Sequence, residues 1–114
     1  MLRLKKTPNN PKGTASLAAA IREKLEIHTV VIHPVQYAAG ADAQGEAFVT
    51  GPFTAKPKIT TGAGDHFNAG FSIGRLLDIG LASSLQIGVA TSGYYVRNAK
   101  SPKLDDLKKF LKTL

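Results

Sequence analysis

A chain of 114 residues, 43% of them hydrophobic, with a net charge of +7, suits one small globular domain and leaves no room for two full-sized ones. It contains no cysteine, which excludes disulfide scaffolds, thiolate metal sites and a cysteine nucleophile. No apolar run approaches the roughly 18 residues a membrane span needs. The N-terminus also lacks the apolar stretch of a secretory signal, so a cytoplasmic protein with no membrane partner is expected.

The charge sits at the two ends. Residues 1–12 carry Arg3, Lys5, Lys6 and Lys12 with no acid (+4), residues 97–114 are again +4, and the middle is −1. Basic ends raise the question of polyanion partners. Neither stretch is interleaved with the aromatics that single-strand binders use for stacking, which makes nucleic acid an unlikely partner.

In chain order, Pro8, Asn9, Asn10, Pro11 and Gly13 make residues 1–13 an irregular, basic lead-in. Thr14 is a candidate cap for a helix over about 15–26, with Leu17, Ala18, Ile21 and Leu25 on one face. The run Thr29-Val30-Val31-Ile32 reads as a strand buried on both faces, as in a parallel sheet. Residues 38–45 read as a turn, and Phe48-Val49-Thr50 as a second strand stopped by Gly51-Pro52. Residues 56–60 are extended, since Pro57 biases its predecessor away from helix. Apolar residues surround the helix expected over 65–79, which marks it as buried, and Gly80 ends it. The spacing Gly70 to Gly74 predicts close helix packing. Ser83 with Gln86 forms a capping box for a helix to about Asn98. A last helix starts at Ser101-Pro102, with Leu104, Leu107, Phe110, Leu111 and Leu114 on one stripe.

Thr60 to Phe71, TTGAGDHFNAGF, carries the chemistry. Gly62-Ala63-Gly64 joins an extended segment to a helix, and small residues there let a ligand approach the backbone. A helix N-terminus offers unpaired N–H groups and a partial positive charge, an anion hole in outline. Asp65 sits at the same helix start. A carboxylate beside a phosphate cradle is the layout of a base that takes a proton from an attacking hydroxyl. From the residues alone, an N-capping Asp after a tight glycine turn is an equal reading. The P-loop and the dinucleotide fingerprint are both absent, lacking a Lys-Ser/Thr pair and a glycine at Phe67 respectively. His28, His33 and His66 are scattered, and no metal site is expected from them. His66 reads either as an exposed helix residue or as a contact to phosphate or acceptor.

The same stretch resembles the C-terminal signature DTxGAGDxFxAGF of the ribokinase-like, or PfkB, family of carbohydrate and nucleoside kinases. Gly62, Ala63, Gly64, Asp65, Phe67, Ala69, Gly70 and Phe71 all match. The resemblance covers roughly residues 14–114. It implies an α/β fold, the C-terminal part of a three-layer α/β/α sandwich, here helix–strand–strand followed by three helices. It implies Asp65 as catalytic base, the backbone of Gly62, Ala63 and Gly64 as anion hole, ATP with Mg²⁺, and a sugar or nucleoside acceptor. By approximate alignment His33 contacts nucleotide or merely ends its strand, and Gly88 lies near the adenine or packs a helix. Ile59 stands where the signature has Asp, a residue of the family's monovalent-cation site, so potassium activation is left open. The chain corresponds to the final third of such a kinase. Its missing N-terminal portion, or self-association, is the expected macromolecular partner. A non-catalytic remnant, or a nucleotide- or nucleic-acid-binding module, is the alternative.

Overall fold

The computed structural model describes residues 9–114. Helix α1 spans Pro11–Leu25, strands β1, β2 and β3 span Val30–Ile32, Tyr37–Asp42 and Gly45–Thr50, and helices α2, α3 and α4 span Ala63–Leu76, Leu81–Asn98 and Leu104–Leu111. Of the basic lead-in, Arg3, Lys5 and Lys6 lie outside the described residues. Helix α1 begins earlier than the sequence suggested. Pro11 occupies its first turn and the Asn10 carboxamide caps it, accepting from the Gly13 N–H at 2.6 Å. Proline is preorganised for that position and asparagine is a strong cap, so the cluster that looked like a breaker is a start signal. Thr14 is therefore inside the helix and buried.

The three strands form one antiparallel sheet in the order β1-β2-β3. Two expectations are corrected here. The β1 run is half-buried and pairs antiparallel with β2, so its continuous apolar character does not reflect a parallel neighbour among the described residues. The stretch expected as a turn is mostly β2, and only its end, at 42–45, reverses the chain. There the Asp42 carboxylate accepts from the Gln44 N–H at 2.8 Å. Strand β2 was hidden by its composition. Ala38, Ala39, Gly40 and Ala41 have weak strand propensity but are wholly buried, because helices press on both faces.

The faces sort by alternation. Ala38 joins Phe67, Leu85 and Val89 in the core, and a Cβ on Gly40 would touch Leu81, so this face meets α2 and α3. Tyr37 is on the other face, its hydroxyl 2.7 Å from Thr14 Oγ1 of α1. The result is the expected three-layer α/β/α arrangement, with the order helix, three strands, three helices.

Helices α2 and α3 approach at glycines. A Cβ on Gly74 would fall 2.7 Å from Ser84 Cα, one on Gly70 2.8 Å from the Ile87 carbonyl, and one on Gly88 2.6 Å from the Phe67 ring. The predicted close packing at Gly70 and Gly74 is observed. Helix α2 is not buried all round, however. Phe67, Gly70 and Gly74 face α3, while Ile73, Leu76 and Leu77 are 53%, 86% and 67% exposed. Helix α3 starts after Gly80 rather than at a Ser83–Gln86 box, and the Ser84 hydroxyl returns a 2.6 Å hydrogen bond to the Gly80 carbonyl. Helix α4 begins at Leu104, where the Asp106 carboxylate accepts from the Lys103 N–H at 2.9 Å, and it rests on α3 through Phe110 against Tyr94 and Arg97. Among the described residues no helix is long and apolar enough to cross a membrane.

Candidate active site

The segment between β3 and α2 crosses the C-terminal half of α3 and is tied to it. The Lys58 N–H donates to the Val96 carbonyl at 2.7 Å, and the Arg97 guanidinium donates to the Phe53 carbonyl at 3.1 Å. The segment ends in the turn at 60–64. Gly62 caps α2 with φ +94°, in the left-handed region that glycine adopts without strain. The Ala63 N–H folds back to the Thr60 carbonyl at 3.1 Å, and the first helical bond runs from the His66 N–H to the Gly62 carbonyl. Among the described residues, the N–H groups of Gly64 and Asp65 are left without a partner. Of the three residues expected to form an anion hole, Ala63 has its donor occupied, whereas the N–H groups of Gly62 and Gly64, like that of Asp65, have no partner among the described residues.

Two hollows flank this helix start. One is a cavity of about 250 Å³ lined by His33, Val35, Phe53, Ala63, Gly64 and Val96 among others. A Cβ on Gly64 would meet nothing within 4 Å, so here the glycine borders open space rather than packed chain. The other is an apolar groove of about 420 Å³ between α2 and α4, bordered by Asp65, His66, Ala69 and Lys103. Asp65 is exposed and lies on the groove side.

His33 does reach the first cavity. Its ring stacks on Phe67 at 4.0 Å between centroids, and burial pushes its pKa below the ordinary imidazole value, which favours the neutral ring. Gly88 does not line the cavity; it sits beneath the Phe67 ring, where it lets the helices close. Among the described residues no cluster of three His, Cys, Asp or Glu forms a metal-holding group, and Ile59 offers no side-chain oxygen. Sequence reasoning missed Tyr95 and Ser101. The Tyr95 hydroxyl donates to the Thr61 carbonyl at 2.6 Å, and Ser101 Oγ lies 2.7 Å from His66 Nε2. Both lie 34 or more residues along the chain from their partners, and no local pattern marks them.

Comparisons with known proteins show the family and the fold. The sequence model of prokaryotic ketohexokinase matches residues 1–114. The chain belongs to the prokaryotic ketohexokinase family. A ketohexokinase from Haloferax volcanii is 42% identical over 78 residues, which are 68% of this chain and 21% of that protein. Two crystal structures of Escherichia coli phosphofructokinase-2, one of a point mutant and one in complex with substrates and products, superpose with a TM-score of 0.76 at 23% identity. Each superposition covers 93% of this chain, against 34% and 35% of the solved chains, and establishes the ribokinase-like fold. This ketohexokinase-family chain therefore spans about a fifth of the curated relative and a third of the solved kinases.

Proposed function

We propose that the chain forms the nucleotide-side part of the active site of an ATP-dependent, cytoplasmic sugar kinase. The observation that carries this reading is the start of α2. Two adjacent N–H groups without partners, an exposed carboxylate and a glycine that borders open space meet within Gly64-Asp65. The family and the curated relative favour a ketohexose as acceptor.

In this mechanism the nucleotide lies in the 250 Å³ cavity, against Val35, Phe53, Val96 and the neutral His33 ring. Its γ-phosphate meets the N-terminus of α2. The Gly64 and Asp65 N–H groups and the positive end of the helix dipole stabilise charge on the transferring phosphoryl group. Ala63, its N–H bonded to Thr60, contributes by shaping the turn, and the Gly62 N–H, without a partner among the described residues, is a further donor at the same turn. The Asp65 carboxylate takes the proton of the acceptor hydroxyl as its oxygen bonds to the γ-phosphorus and the bond to the ADP oxygen breaks. Magnesium, bound with the ATP, would neutralise phosphate charge. The described residues provide no acidic cluster to hold it, so it would rest on the phosphates and on residues outside this chain. Those outside residues, the remaining portion of the kinase, would also supply the rest of the acceptor site.

The test is a titration of isotope-labelled chain with Mg·ATP. The amides of Gly64 and Asp65 and the His33 ring should shift together and saturably, while those of Gly74 and Ser84 stay still. No shift at about 10 mM ATP, beyond the usual substrate range of roughly 1 μM–1 mM, refutes the reading.

A further inference from the structure

We propose that His66 is a positioning residue that locks the turn at 60–64 in the shape that leaves the Gly64 and Asp65 N–H groups free. The inference rests on the kinase reading for what the turn binds, but not for how the turn is held. His66 Nδ1 lies 2.8 Å from the Gly62 carbonyl oxygen, and Nε2 lies 2.7 Å from Ser101 Oγ. A carbonyl oxygen only accepts, so Nδ1 carries the hydrogen, and in the neutral ring Nε2 accepts from the Ser101 hydroxyl. The imidazole also stacks on Tyr95, with centroids 3.7 Å apart and planes 12° from parallel. Tyr95 in turn donates to the Thr61 carbonyl at 2.6 Å, and its hydroxyl would be 3.0 Å from a Cβ on Gly62.

The consequence is a turn with every carbonyl committed. Thr60 accepts from Ala63, Thr61 from Tyr95, and Gly62 from both the His66 backbone and its ring. A left-handed glycine with a second glycine two residues on has many alternatives, and the sequence of the turn alone does not select among them. The hydrogen bonds of the two rings, His66 of α2 to the Gly62 carbonyl and Tyr95 of α3 to the Thr61 carbonyl, do select. They anchor the turn to both helices and, through Ser101, to the chain beyond α3. Donors that stabilise a developing oxyanion must be held to within fractions of an ångström, so a fixed turn matters for chemistry as well as for stability.

The experiment has arms that fail separately. In alkaline buffer, where an imidazole is neutral, a long-range ¹H–¹⁵N spectrum of the wild-type chain should show His66 as the Nδ1–H tautomer; the Nε2–H tautomer overturns the proposal without any variant. His66→Phe keeps the stacking on Tyr95 but removes both hydrogen bonds. It should speed amide exchange at Ala63 and His66, whose N–H groups are bonded within the turn, and weaken ATP binding, each by about tenfold. His66→Ser should restore most of both, because a helical serine donates to the carbonyl four residues back. Ser84 and Thr91 already do so in this fold, at 2.6 and 2.7 Å. Wild-type exchange in the Phe variant, or no rescue by Ser, overturns the proposal. If the wild-type chain binds no ATP, the kinase reading falls, while tautomer, exchange and rescue still decide whether His66 holds the turn.

Discussion

Adding one methyl group at Gly88 should destabilise the protein, whereas adding one at Gly64 should not, although both glycines are helical. In Gly88→Ala the new Cβ would sit 2.6 Å from Phe67 Cε2 and 2.8 Å from Cδ2. The ring cannot retreat easily. It is 2% exposed, stacked on His33 at 4.0 Å and near-parallel to Phe71 at 5.9 Å between centroids. Overpacking of this kind costs about 1–3 kcal/mol. The tight cage puts it near the top of that range, and alanine's better helix propensity returns about 1 kcal/mol. The net loss is about 1–2 kcal/mol, or roughly 4–16 °C in melting temperature for a domain near this size. For Gly64→Ala nothing lies within 4 Å of the new Cβ, so propensity acts alone and the melting temperature should hold or rise. Thermal unfolding followed by far-UV circular dichroism measures both. A Gly88→Ala protein as stable as wild type would refute the packing argument and reopen a ligand role for that glycine. Gly64→Ala should instead weaken ATP binding, since its methyl intrudes on the cavity.

Three more outcomes are expected. The buried Asp42 carboxylate serves the hairpin turn and the Arg75 guanidinium, 3.2 Å away, so Asp42→Ala should cost about 2 kcal/mol and Arg75→Ala less, because Asp42 keeps the Gln44 N–H; a double-mutant cycle by chemical denaturation measures their coupling, and additive losses would refute the link. The folded state binds a proton at His33 more weakly than the unfolded chain does, so stability should decline as pH falls below about 6.5 and level off below the lowered folded value; His33→Phe should flatten that decline in urea titrations across this window, and an unchanged slope would contradict the burial argument. Leu76 and Leu77 form an exposed apolar patch at the end of α2, so the isolated chain should self-associate and Leu76→Glu/Leu77→Glu should reduce it; sedimentation of both at high concentration decides, and a wild-type chain that stays monomeric rules the patch out as a contact.

What the sequence disclosed depended on whether a signal was local. The glycine turn, Asp65 at the start of α2 and the glycine spacing of the α2–α3 contact are short-range patterns, and each occupies the expected place. Strand β2 was illegible because burial, not propensity, makes Ala38–Ala41 a strand, and burial depends on helices far along the chain. The direction of β1 was illegible for a related reason: an apolar β-branched run states that a strand is covered, not which way its neighbour runs. Pro11 misled because proline ends helices from within and starts them from the first turn, and only the Asn10 cap distinguishes the two. Helix α2 carries apolar residues on a face that the described chain leaves open, so apolar residues all round it did not mean burial all round it. Within the site, Asp65 and Gly64 were readable, whereas the engagement of the Ala63 N–H and the ring pair His66–Tyr95 arise from tertiary contacts alone.

The central claim is that Asp65 is a catalytic base and not only a residue at a helix start. The most direct measurement uses a chimera in which this chain replaces the matching segment of the Haloferax volcanii ketohexokinase, assayed for ATP-dependent ketohexose phosphorylation with and without Asp65→Asn. Asparagine is nearly isosteric and serves a helix start about as well, so melting temperature should not change. Turnover should fall on the order of 10²–10⁴-fold with the loss of the proton acceptor, while ATP binding stays equal or tightens slightly once a negative charge beside the phosphates is gone. An active chimera whose Asn variant melts normally and turns over at the parent rate would contradict the account and leave Asp65 as a structural residue.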